Sequence, residues 1–168
     1  MKVKIVKVDD GQKIAALIRK PGKTTLPSFT DGWRFNFNKH SRNKNYETYV
    51  LVCEETPEKI EGCLIFEMKG KVEPYMAYIE VAPHNRGRTK QNDRVAGCLV
   101  AFACRLSFTY GEGPYKGYLI FDVFEQNKED EVKLMAVYSQ KYGALKFTET
   151  TMVIIPDTGE KLIEQFLN

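Results

Sequence analysis

Apolar and polar positions along the 168-residue chain fall into short, cleanly bounded runs. VKIVKV at 3–8 alternates and predicts a first strand, whereas GQKIAALIRK at 11–20 predicts a short amphipathic helix. That helix would carry Ile14, Leu17 and Ile18 on one face and stop at Pro21-Gly22. From Pro21 to Asn45 the chain is polar, broken by Phe29, Trp33, Phe35 and Phe37, and predicts a loop that folds into a helix or a lid. TYVLVCE at 48–54, EGCLIFEMK at 61–69 and PYMAYIEVA at 74–82 are separated by TPEK and GKVE. Connections that short predict an antiparallel meander. A helix follows from Arg94 to Phe108, with Val95, Leu99, Phe102 and Leu106 on one stripe and Ala96, Gly97, Ala101 and Ala103 permitting close packing on a sheet. GYLIFDVF at 117–124 predicts a buried strand, and DEVKLMAVYSQKYG at 130–143 a helix with acids in its first turn and Gly143 as its stop. LKFTET, TMVIIP and EKLIEQFL add two strands and a terminal helix.

A run of strands followed by strand-helix-strand-helix-strand gives a mixed α/β (α+β) sheet in three layers. No repeat, low-complexity tract or linker divides it, so residues 1–168 are expected to form one domain. The formal charge of +3 does not mark a dedicated nucleic-acid binder. No stretch approaches the roughly 18 consecutive apolar residues that cross a bilayer, and MKVKIVKVDDG lacks an apolar signal core, so the cytoplasm is the default compartment. Cys53, Cys63, Cys98 and Cys104 lie in apolar patterns without C-x-x-C spacing and read as buried thiols. No His/Cys/Asp/Glu constellation has metal-ligand spacing, and no G-x-S-x-G elbow is present. No motif therefore marks a nucleophile for a covalent enzyme intermediate.

The densest chemistry lies in IEVAPHNRGRTKQNDRVAGCLVAFACRL at 79–106, where a strand enters a basic loop that opens onto the long helix. Amides at a helix N-terminus converge on one point, which suits a phosphate or pyrophosphate. Arg86, Arg88, Lys90 and Arg94 lie along that loop and can add charged donors. His84, inside the P-H-N-R turn, contacts phosphate or points to solvent.

This segment resembles motif A of the GNAT (Gcn5-related N-acetyltransferase) superfamily. Val81, Ala82 and Pro83 match its V-x-P turn, and Gln91, Arg94 and Ala96 its Q-x-x-G-x-A loop. Arg94 stands where the family has glycine, and extra residues separate the Arg86-Gly87 pair from the helix. YSQKYGALKF at 138–147 resembles the family's closing tyrosine and Gly-Ala turn. DGWRFNFNKH at 31–40 and VAGCLVAFACRLSF resemble a bacterial subgroup, some of whose members are toxin components of toxin–antitoxin pairs.

The resemblance implies a GNAT-like fold with a central, mostly antiparallel, splayed sheet of six to seven strands flanked by helices. It implies acetyl-CoA as co-substrate, its cradle formed by Val81, Arg86, Gly87, Gln91, Arg94, Val95, Ala96 and Gly97. The pantetheine arm would enter between strands 74–82 and 117–124. A small-molecule or protein amine would meet it from the opposite side, near Trp33, Tyr78 and Glu80. An alkylammonium with a pKa near roughly 10 must lose its proton to attack. Glu80, which strand alternation places on the face of Met76 and Tyr78, is the candidate base, or else a carboxylate that answers the basic loop. Tyr138 is the candidate acid by motif, one residue further from Gly143 than is usual, so Tyr142 competes with it. Trp33, Phe35 and Phe37 line the acceptor side or form a satellite hydrophobic cluster. The resemblance also implies homodimers, with the apolar C-terminal strands as interface material. Arg94 and the long loop keep a second reading open, a degenerate GNAT-like domain that serves in interaction or regulation.

Overall fold

The computed structural model describes residues 1–168. Nine strands form one sheet: β1 (Lys2–Lys7), β2 (Lys13–Arg19), β3 (Glu47–Cys53), β4 (Thr56–Lys69), β5 (Glu73–Val81), β6 (Asn92–Asp93), β7 (Leu119–Asp122), β8 (Leu145–Lys146) and β9 (Thr151–Ile154). Their order is β6-β1-β2-β3-β4-β5-β7-β9-β8. Only β5 and β7 run parallel; every other neighbouring pair is antiparallel. β6 and β8 are two-residue strands, which leaves seven of four residues or more. The helices are α1 (Phe37–His40), α2 (Val95–Tyr110), α3 (Lys128–Tyr142) and α4 (Pro156–Leu167).

The sheet is buried on both faces. Tyr49 and Leu51 of β3 and Leu64 and Phe66 of β4 join the larger core beneath α2, while Val50, Val52, Cys63 and Ile65 join a second cluster with Trp33, Phe37 and Ala82. Residues 20–46 therefore do the work of a helical layer with one 3-10 turn, Phe29–Asp31, and one turn of α-helix. The predicted stripe Val95, Leu99, Phe102 and Leu106 of α2 is buried throughout. Against the other flank of α2 lies α4, with glycines at both contacts: Phe166 sits over Gly97, and Cys104 faces Gly159. No helix is long and apolar enough to cross a membrane.

Residues 11–20 correct the sequence reading: they form β2, not a helix. β2 pairs with β1 on one side and β3 on the other. Ala16 and Ile18 enter the larger core and Leu17 packs on the second cluster. A strand buried on both faces loses its alternation, and a short apolar run then fits helical spacing as well.

Face assignments along β5 also change. Ile65 pairs with Tyr78 and Phe66 with Met76, which leaves Ala77 as a bulge. The extra residue shifts the phase of the strand. Met76 and Ile79 consequently face the larger core, while Tyr78 packs on the second cluster. Glu80 shares Tyr78's side of the sheet and not that of Met76.

Beyond the single ladder pair Tyr75–Ile120, β5 and β7 diverge. Asp122 braces the point of divergence, accepting from the Tyr75 hydroxyl at 2.6 Å and the Thr151 hydroxyl at 2.7 Å.

Candidate functional site

Two adjoining spaces result. The first lies over the N-terminus of α2. The loop that leads to it is anchored by Glu61 of β4, a carboxylate only 2 % exposed. Its Oε2 accepts from His84 Nε2 at 2.7 Å, Asn85 Nδ2 at 2.6 Å and Asn92 Nδ2 at 3.0 Å. The Asn92 amide donates in turn to Asn85 Oδ1, and the Gln91 amide to the His84 carbonyl. Both feet of the loop thus stand on one buried anion, and His84 points inward to Glu61, neither to solvent nor to a phosphate.

At the far foot, Arg94 adopts φ 70° as N-cap of α2. That is the left-handed conformation a glycine enters freely and other residues enter at a cost of about 1–2 kcal/mol. No side chain caps α2, so its first-turn amides lack intrahelical partners. The Arg94 guanidinium donates to the Gln165 carbonyl at 2.6 Å and stacks on the Phe166 ring at 4.8 Å. Asp93 accepts from the Arg94 amide and pairs with Lys90 at 3.0 Å. Burial pushes its carboxyl upward, but those two donors outweigh burial and hold it below the usual range.

The cleft above these amides has a volume of about 390 Å³ and gathers Val81, Arg94, Val95, Ala96 and Gly97. Three residues assigned to the cradle lie outside it. Arg86 folds back, donating through Nε to the Val81 carbonyl at 3.1 Å and through its terminal nitrogen to Glu80. Gln91 meets Lys59 at 3.3 Å, and Gly87 turns into solvent. In their place stand Lys90, Asn92, Lys141, Tyr142, Gln165 and Phe166. Lys141 belongs to α3 and Phe166 to α4, elements that no motif spacing could bring to this cleft.

The second space is the wedge between β5 and β7, about 220 Å³, lined by residues 76–80 and 121–125 together with Arg34, Phe35, Leu134 and Tyr138. Of the two candidate tyrosines only Tyr138 lines it, its ring 4.8 Å from Phe121. Burial, with smaller contributions from Tyr142 and Glu125, pushes the Tyr138 phenol well above its usual range. Tyr142 lines the first cleft, and burial pushes it up to about 12.

Glu80 is 8 % exposed and fully engaged. It accepts from the Arg34 amide at 2.7 Å, the Phe35 amide at 3.0 Å and the Arg86 guanidinium. The aromatic cluster divides: Trp33 and Phe37 are buried in the second core cluster, whereas Phe35 lines the wedge. All four cysteines are unpaired and buried.

No family model and no curated protein matches the chain. Solved structures do. The chain is similar to the KacTA–DNA complex at 11 % identity and a TM-score of 0.60, covering 89 % of this chain and 99 % of that one. AtaTR bound with AcCoA matches at 14 % identity and a TM-score of 0.59, over 88 % and 97 % of the two chains. A mutant of the spermidine N-acetyltransferase SpeG from Vibrio cholerae matches at 14 % identity and a TM-score of 0.52, over 86 % and 95 %. The fold of this chain is that of the GNAT superfamily.

Proposed function

We propose that the protein is an acyl-CoA-dependent N-acetyltransferase that joins an acetyl group to a small-molecule or protein amine by direct attack. One observation carries the reading: the wedge opened by β5 and β7 lies beside the uncapped N-terminus of α2. The likeness to AtaTR bound with AcCoA and to a spermidine N-acetyltransferase agrees with it.

The residues fit a CoA-type molecule. The first-turn amides of Val95, Ala96 and Gly97, with Lys90, Arg94 and Lys141 around them, would hold its phosphates. Acetyl-CoA would supply an activated thioester whose carbonyl carbon accepts the amine nitrogen as the carbon–sulfur bond breaks. Tyr138, protonated across the neutral range, donates its proton to the departing sulfur. Glu80 is one of three carboxylates that line the wedge, with Asp122 and Glu125, and is our candidate base. A proton from the amine reaches it only in exchange for one of the donors that now occupy its oxygens.

A degenerate domain is the second reading, favoured by the tie of Arg94 to Gln165 and Phe166 across the cleft. Calorimetric titration with acetyl-CoA separates the two. A micromolar Kd, roughly −8 kcal/mol, supports the transferase. Absence of binding in a folded sample, recovered only in Arg94→Gly, supports the degenerate domain.

A further inference from the structure

The wedge is crossed by a strap. Residues 31–36 are rooted at Trp33 and Phe37 in the second core cluster and run over the opening between the two strands. The amides of Arg34 and Phe35 bond Glu80 on β5, while the Arg34 guanidinium pairs with Glu125 beyond the end of β7. One short segment thereby touches both lips.

The carboxylates that line the wedge are not equivalent. Glu80 holds three donors, and Asp122 is taken by Tyr75, Thr150 and Thr151. Glu125 has Arg34 alone. Its side chain is 11 % exposed, while that of Arg34 is 56 % exposed. A nearly buried carboxylate needs a cation, because an unpaired charge there is strongly destabilising. A guanidinium more than half in water can leave with little loss, provided another cation takes its place.

The walls around Glu125 are apolar, formed by Phe35, Met76, Phe121, Phe124 and Leu134. We propose that Glu125 is the docking carboxylate for an acceptor that is a small aliphatic diamine or polyamine. One ammonium replaces Arg34 at Glu125, and the other amine reacts. This rests on the acyl-transfer reading for the reaction, though not for the binding. In that reaction the free nitrogen's lone pair forms the bond to the acetyl carbon, and the carbon–sulfur pair leaves on sulfur. The proton lost by nitrogen ends on sulfur, and the docked ammonium keeps its charge. A neutral acceptor would leave Arg34 on Glu125 and gain nothing there, and an anionic one would be repelled.

The test is calorimetric titration of the full chain with 1,4-diaminobutane, n-butylamine and a lysine-containing peptide, with acetyl-CoA titrated in parallel. The diamine is expected to bind at least tenfold more tightly than butylamine. Glu125→Gln should weaken the diamine at least tenfold and acetyl-CoA by far less, and Arg34→Ala should tighten the diamine by removing the competitor. Equal affinity for diamine and butylamine, or a Glu125→Gln variant that binds diamine as the wild type does, overturns the proposal. So does binding of the peptide without the free diamine, which would assign the site to protein lysines. Acetyl-CoA binding without diamine binding removes this inference and leaves the transferase standing. Glu125-dependent diamine binding without acetyl-CoA binding does the reverse.

Discussion

At residue 94 the backbone decides more than the side chain. Because φ is 70°, the position penalises any residue with a Cβ, while the arginine gains a carbonyl and an aromatic ring in return. Arg94→Gly should therefore exceed Arg94→Ala in stability by about 1 kcal/mol, read from urea midpoints, since both lose the guanidinium and only alanine keeps the penalty. Arg94 lines the cleft over α2, as motif spacing alone suggested, because the loop that carries it is short and local. The side chains of Arg86 and Gln91 turn away from that cleft, the first to Glu80 six residues back on β5 and the second to Lys59 on β4. Tyr138 and Tyr142 could not be told apart by spacing; in the fold one faces the wedge and the other the first cleft. On the transferase reading, Tyr138→Phe is expected to lower kcat by about 100-fold with KM nearly kept, whereas Tyr142→Phe leaves kcat within a few fold.

Among the elements, β4 and α2 show how close the layers lie. A Cβ at Gly62 would stand 2.8 Å from Leu99 Cδ1, 2.9 Å from Val95 Cγ1 and 3.3 Å from the Glu80 carbonyl oxygen. Leucine and valine tips can shift, but the carbonyl is backbone of β5. Gly62→Ala should cost about 1–3 kcal/mol, seen as a lower Tm. At Gly97 a Cβ would fall 2.2 Å from Phe166 Cε1, so Gly97→Ala should push α4 off α2 and raise amide exchange in α4 before the sheet. Element types were legible wherever one periodicity ruled, as along α2. They failed at β2, where both faces are covered, and the bulge at Ala77 left no mark in the sequence at all, since it changes pairing rather than composition.

For the molecule as a whole, the aromatic residues that make its core also set its alkaline limit. Burial raises the phenols of Tyr49, Tyr75, Tyr138 and Tyr142 above their ordinary value, Tyr142 to about 12. A folded-state pKa above the unfolded one means that the stabilisation is fully present below about pH 10 and is lost as pH rises through the folded values. Tm should therefore hold level with respect to these groups up to about pH 10 and fall beyond it, as a pH series of thermal melts would show. That β5 and β7 are neighbours was readable only with the help of the resemblance, because their parallel junction spans more than thirty residues of chain and rests on one ladder pair.

Glu61 separates two properties that usually vary together, the length of a loop and the placement of its ends. His84 and Asn85 at one foot and Asn92 at the other are fixed by the same carboxylate, while Gly87, Arg88 and Thr89 between them stand in solvent. Chain added at that crest bulges outward and costs little, about 0.6 kcal/mol for a doubling of length. The crest is thus a natural graft point: a label or short tag inserted after Arg88 would sit beside the cleft over α2 without entering it.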